Sequence, residues 1–127
     1  MPVRNSLLLC LGLTVLVGCE AEPDAPTDRG VCWHLAGTTG GKLKFNRLAT
    51  HQPDLEHCAA ELEKMRLSFN ALGLVHSEVT GAYQSQFIFL QKEGVFTASS
   101  YRGFRYPFLV RTGDGRLATP GAMPRAQ

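Results

Sequence analysis

The sequence predicts an α+β domain: a single amphipathic helix packed on one face of a mainly antiparallel sheet of about five strands. Two observations carry that prediction. Between Pro53 and Leu72 apolar residues recur at Leu55, Cys58, Leu62, Met65, Phe69 and Leu72, a spacing that puts all six on one side of a helix. On either side of this stretch lie short segments rich in β-branched and aromatic residues, separated by glycine-bearing turns. That is how strands joined by hairpins are written.

In chain order, Val31-Cys32-Trp33-His34-Leu35 reads as a short strand with Cys32 and His34 on one side and Trp33 on the other. Gly37 to Gly41 is a flexible loop, and Lys42 to Ala49 alternates charged with apolar residues as a half-buried strand does. The helix follows. Pro53 suits its first position, Asp54 and Glu56 favour its positive end, and Gly73 is placed to close it in the left-handed conformation. Cys58 points inward, while Glu61, Glu63, Lys64 and Asn70 fall off the stripe and are expected in water.

Glu78 to Gln91 is the strongest strand signal, alternating at first and then apolar on both faces at Phe87-Ile88-Phe89-Leu90, as in a central strand. Lys92-Glu93-Gly94 turns into Val95 to Ala98. Tyr106 to Thr112 and Arg116 to Thr119 flank Gly113-Asp114-Gly115 as a hairpin, with Pro107 marking an edge or a strand start. Such short turns force antiparallel pairing, and the helix must then cover one face of the sheet.

The N-terminal stretch has a different character. Arg4 precedes an apolar run from Leu7 to Val17, interrupted only by Gly12 and Thr14. That run is too short to span a bilayer, which takes about 20 residues, but it suits the apolar part of a signal peptide. It ends in Leu16-Val17-Gly18-Cys19, which resembles the lipobox of bacterial lipoproteins. The resemblance implies a signal peptide over residues 1–18, a lipidated Cys19 opening a flexible acidic and proline-bearing tether over 19–30, and one small domain over 31–127. It also implies a thioether-linked diacylglycerol on Cys19 and a palmitate-type acyl group on its amine, enough chains for a firm hold. In that family an aspartate after the cysteine favours the inner membrane. Glu20 stands there instead, which implies the periplasmic face of the outer membrane.

The same processing resolves the cysteines. Cys10 leaves with the signal and Cys19 carries lipid, so Cys32 and Cys58 remain as a pair in an oxidising compartment. A disulfide between them is the expected outcome. Within the body, Leu43 to Phe89 is similar to the opening of the SPOR peptidoglycan-binding repeat. That family carries a second helix between later strands, for which no segment exists here, so the domain as a whole resembles no characterised family.

Charge and motifs narrow the chemistry. Residues 30–127 hold eleven Lys or Arg against seven Asp or Glu, and residues 20–29 hold four acids against Arg29. This is too mild for a nucleic-acid partner. His34, His51, His57 and His76 form no metal-binding spacing. Cys32-x-His34 with His57-Cys58 offers a zinc set on paper, but adjacent helical residues point about 100° apart, so His57 faces away when Cys58 faces in. The same geometry disfavours Cys58 and His57 as a nucleophile pair. Ser68, Ser77, Ser85, Ser99 and Ser100 lie outside any nucleophile-elbow motif, and Gly40-Gly41-Lys42 lacks phosphate-loop spacing. No cofactor, metal or catalytic residue is assigned.

The one suggestive patch is Tyr101, Arg102, Phe104, Arg105, Tyr106 and Arg111, together with Phe108. Arginines interleaved with aromatics suit interfaces and anionic groups: peptidoglycan carboxylates, lipid phosphates or an acidic protein. The plainer alternative is a strand with a buried aromatic face and a solvated arginine face. The functional expectation is a membrane-anchored periplasmic lipoprotein acting as a non-enzymatic binding or accessory module, held through lipid on Cys19 and facing an envelope protein or peptidoglycan. Two other classes stay open: an inhibitor of a lysozyme or protease using the 37–41 or 113–115 loop, and a small enzyme whose residues meet only in three dimensions.

Overall fold

A computed structural model describes residues 22–38, 40–74 and 78–121. The signal-like run and Cys19 lie outside the described residues, as do His76 and Ser77. The elements are β1 (Cys32–Gly37), β2 (Leu43–Ala49), α1 (Leu55–Ala71), β3 (Glu78–Tyr83), β4 (Gln86–Gln91), β5 (Gly94–Ala98), β6 (Tyr106–Arg111) and β7 (Leu117–Ala118). They form one sheet in the order β2-β1-β3-β4-β5-β6-β7, and every neighbouring pair is antiparallel. Since β2 and β3 both pair with β1, the β2–α1–β3 connection passes over β1 and lays the helix across one face.

The sheet has seven strands where about five were expected. One reason is that the 78–91 segment, expected as one strand, is a hairpin: β3 and β4 pair from Glu78 with Gln91 to Tyr83 with Gln86. Its turn is Gln84-Ser85, and both residues have positive φ, 40° and 70°. Tight hairpins need that backbone, which Asn and Gly normally supply. The expected 116–119 strand is present as the two-residue β7, which covers only Val110 and Arg111 of β6. Pro107 sits in the part of β6 that β7 leaves unpaired, where a missing N–H costs no ladder bond.

The helix starts and stops where its residues require. Asp54 is the N-cap, its side chain accepting the His57 N–H at 2.8 Å. Gly73 closes it at φ 74°, and the Leu74 N–H returns to the Phe69 carbonyl at 2.9 Å. From the stripe, Cys58 and Leu62 are buried, and Leu55, Met65 and Phe69 pack against the core they share with Val79, Ile88, Leu90, Val95 and Leu109. Leu72 lies beyond the last turn and is 74% exposed. Beneath the helix, Gly81 brings the β3 backbone so close that a Cβ there would meet Leu62 Cδ1 at 2.4 Å and the Trp33 carbonyl at 2.5 Å. The Cys32–Cys58 disulfide ties β1 to α1 with Cα atoms 5.2 Å apart, and closing a loop of this length contributes about 3–4 kcal/mol on the chain-entropy model.

The opposite face carries a second, aromatic core. Leu35, Ala82, Phe87, Phe89 and Ala98 are buried there, with Trp33, Phe45, Phe96 and Tyr101 packed against them. No helix among the described residues covers this side. The chain before β1, expected as a flexible tether, contributes to it instead. Ala25 packs on the aromatic cluster, the Ser85 N–H donates to the Pro26 carbonyl at 2.9 Å, and the Gln52 N–H donates to Gly30 at 2.8 Å. The Gly30 N–H in turn donates to Gln84 Oε1 at 2.8 Å. From Glu22 onward the segment is part of the fold.

Candidate functional site

The six residues of the aromatic–arginine patch do not form one surface. Only Tyr106 and Arg111 lie on β6, while Tyr101 to Arg105 lie in the loop before it, and the patch is divided three ways. Tyr101 turns into the aromatic core, with ring centroids 5.7 Å from Phe87 and 6.3 Å from Phe89. Arg105 lies over the Phe89 ring at 3.6 Å and bonds Glu78 at 2.9 Å, closing the same core with a cation–π contact and an ion pair. Arg111 reaches the helix side and pairs with Glu63. These three therefore have structural partners.

Glu63 corrects an expectation, because it is 2% exposed rather than in water. A charge so buried requires partners, and it has Arg111 together with Arg66, whose Nη1 lies 3.0 Å from Oε1. What remains of the patch at the surface is Arg102, Phe104 and Tyr106. Phe104 and Tyr106 are 73% and 61% exposed and stack edge-on at 4.8 Å. The neighbouring backbone is tied down, since the Arg102 N–H donates to the Glu22 carboxylate.

The histidines and carboxylates offer less. His57 points outward and its Nδ1 lies 2.6 Å from Asp54 Oδ1, while Cys58 faces inward in the disulfide; the two are not a reactive pair. His34 sits against Phe69 at 6.4 Å. Among the described residues no three His, Cys, Asp or Glu side chains gather to hold a metal. Asp54 is held below the usual carboxylate range by the backbone N–H and ring of His57, and Asp114 by the Thr112 hydroxyl. The first shift belongs to a helix cap. The second belongs to the 113–115 turn, which the Thr112 N–H closes on the Arg116 carbonyl at 3.1 Å.

Besides a smaller cleft of about 310 Å³ beside His34, Phe69 and Thr80, one of about 470 Å³ lies between α1 and the β6–β7 hairpin. Leu109 and Leu117 give it an apolar floor, and Glu56, Lys64 and Arg116 give it charges of both signs. The sequence singled out none of these residues, because their convergence depends on β7 folding back over the helix. Among the described residues, this cleft and the exposed Arg102–Phe104–Tyr106 corner are two candidate surfaces. No family model matches the chain, and no curated protein or solved structure shows significant similarity to it.

Proposed function

We propose that the chain is a lipid-anchored, non-enzymatic binding module of the cell envelope, attached through Cys19 to the periplasmic face of the outer membrane. The observation that carries this reading is the lipobox-like Leu16-Val17-Gly18-Cys19 set only three residues before Glu22, where the fold takes up the chain. The Cys32–Cys58 bridge agrees with an oxidising compartment. The α1/β6–β7 cleft supports the binding role, since an apolar floor rimmed by both signs of charge suits a peptide segment of an envelope protein or of peptidoglycan.

The test is Cys19→Ser in cells grown with labelled palmitate. Wild type takes up label and fractionates with the outer membrane, whereas the variant accumulates as unlabelled precursor. Wild-type protein that is unlabelled and soluble overturns the anchor. For the binding role, Leu117→Glu places a charge on the cleft floor and abolishes co-sedimentation with peptidoglycan or with a partner cross-linked at the cleft. Unchanged binding removes the cleft from consideration.

A further inference from the structure

We propose that Phe104 and Tyr106, with Arg102 beside them, form a bilayer-contact surface: an aromatic pair seated at the headgroup level of the membrane that holds the protein's own acyl chains. The inference rests on the anchor reading above and adds to it where the folded body touches the lipid.

Reach is the first argument. Glu22 stands three positions after Cys19, so their Cα atoms can be no more than about 10–11 Å apart. The Glu22 carboxylate accepts the Arg102 N–H, and Phe104 is two residues further along that loop. A lipid attached at Cys19 therefore enters the bilayer beside this corner of the fold. With the segment from Glu22 to Gly30 docked onto the body, little slack remains to move the domain away from the surface.

Exposure is the second. Apart from Phe104 and Tyr106, the large hydrophobic residues that stand exposed among the described residues are leucines: Leu43, Leu67, Leu72 and Leu74. The aromatic pair alone lies next to the attachment point. Phe104 belongs to neither core cluster, and its ring stacks on Tyr106, so its side chain is not needed to fill either core. Aromatic side chains, with Tyr offering an apolar body and a polar tip, collect at membrane–water interfaces. An exposed arginine beside them can extend to phosphate while its stem stays on apolar surface.

Charge is the third argument and fixes the character of the contact. Asp24 and Asp28 are exposed on the docked segment, so the neighbourhood is not strongly cationic. Binding draws on the aromatic pair and persists at high salt, unlike that of a polybasic patch.

The test uses two preparations. The first is residues 20–127 made without the signal and Cys19; both cores lie within residues 22–121, so this chain folds on its own. It is floated with vesicles of phosphatidylethanolamine and phosphatidylglycerol at low and high salt. It partitions measurably at both, and Phe104→Ser with Tyr106→Ser lowers partitioning about tenfold or more, with far-UV dichroism and the urea midpoint unchanged. Equal partitioning of the two chains overturns the surface, and so does capture by peptidoglycan or by a protein that Phe104→Ser with Tyr106→Ser abolishes while vesicle binding is unchanged.

The second preparation is the processed protein from the envelope, reconstituted into vesicles. Phe104→Trp is quenched by lipids brominated near the headgroup, over the background of Trp33, while Leu72→Trp is not. An acylated protein whose Phe104→Trp is unquenched sinks this inference and leaves the anchor standing. An unacylated protein whose residues 20–127 still bind through Phe104 and Tyr106 does the reverse.

Discussion

Arg111 grips Glu63 through two parallel hydrogen bonds, Nε to Oε1 at 2.8 Å and Nη2 to Oε2 at 3.1 Å. Its Nη1 also donates to the backbone carbonyls of Gln91 and Lys92, so one side chain joins α1, β6 and the β4–β5 turn. Such a planar fork matches a carboxylate in a way that lysine cannot. Arg111→Ala is expected to cost about 3 kcal/mol, the lower part of the range for breaking a buried pair, because Arg66 still touches Glu63. Arg111→Lys recovers little of this. Glu63→Leu combined with Arg111→Met recovers only part of the loss, because it leaves the largely buried Arg66 without the carboxylate it pairs with. Urea midpoints of the four chains check the series.

Gly81 sets how closely the helix approaches the sheet. A Cβ there overlaps Leu62 and the Trp33 carbonyl, so Gly81→Ala is expected to destabilise by about 1–3 kcal/mol through overpacking. Adding Leu62→Ala relieves the side-chain overlap but not the backbone one. A double-mutant cycle should therefore show a favourable coupling that leaves part of the Gly81→Ala cost in place.

The disulfide joins two buried cysteines, one on β1 and one on α1. Replacing both with alanine, or reducing the bridge, should lower stability by about 3–4 kcal/mol without changing the fold. Denaturant melts with and without reductant measure this, and coincident curves contradict it.

Asp54 makes the helix cap sensitive to acid. Its carboxyl is held below its ordinary value of 3.8, mainly by the His57 N–H and then by the His57 side chain. A group whose folded pKa is depressed contributes stability above its unfolded pKa and loses it as pH falls through the folded value. The stability difference between wild type and Asp54→Ala is therefore full at neutral pH and closes as pH drops below 3.8. Asp54→Ser, a cap without a titrating carboxylate, lacks this acid-dependent loss. Thermal melts across the acid range separate the three chains.

The helix and its C-terminal stop were legible because the 3-4 spacing and Gly73 act locally: Cys58, Leu62 and Phe69 face the sheet as their spacing requires, whereas Pro53, expected at the first helical position, precedes the Asp54 N-cap. Antiparallel pairing and one helix on one face were legible for the same reason. The Gln84-Ser85 turn was not, since neither residue favours positive φ by itself; bonds to Gly30 and Pro26, more than fifty residues away in sequence, hold it. Glu63 read as solvated because a charged residue beside a stripe ordinarily is, and one of its two partners, Arg111, lies 48 residues away. The patch read as one surface because its residues are close in sequence, yet Tyr101 and Arg105 turn into the aromatic core and Arg111 toward the helix. The docking of Glu22 on Arg102 spans 80 residues and left no local trace.

The central claim is that lipid on Cys19 places this domain directly against a membrane. The most direct measurement is the intact mass and N-terminal peptide of the protein purified from its own envelope. A chain beginning at Cys19 and heavier by a diacylglycerol and an amide-linked acyl group is the expected result. A chain beginning at Met1, or a Cys19 free of lipid, contradicts it.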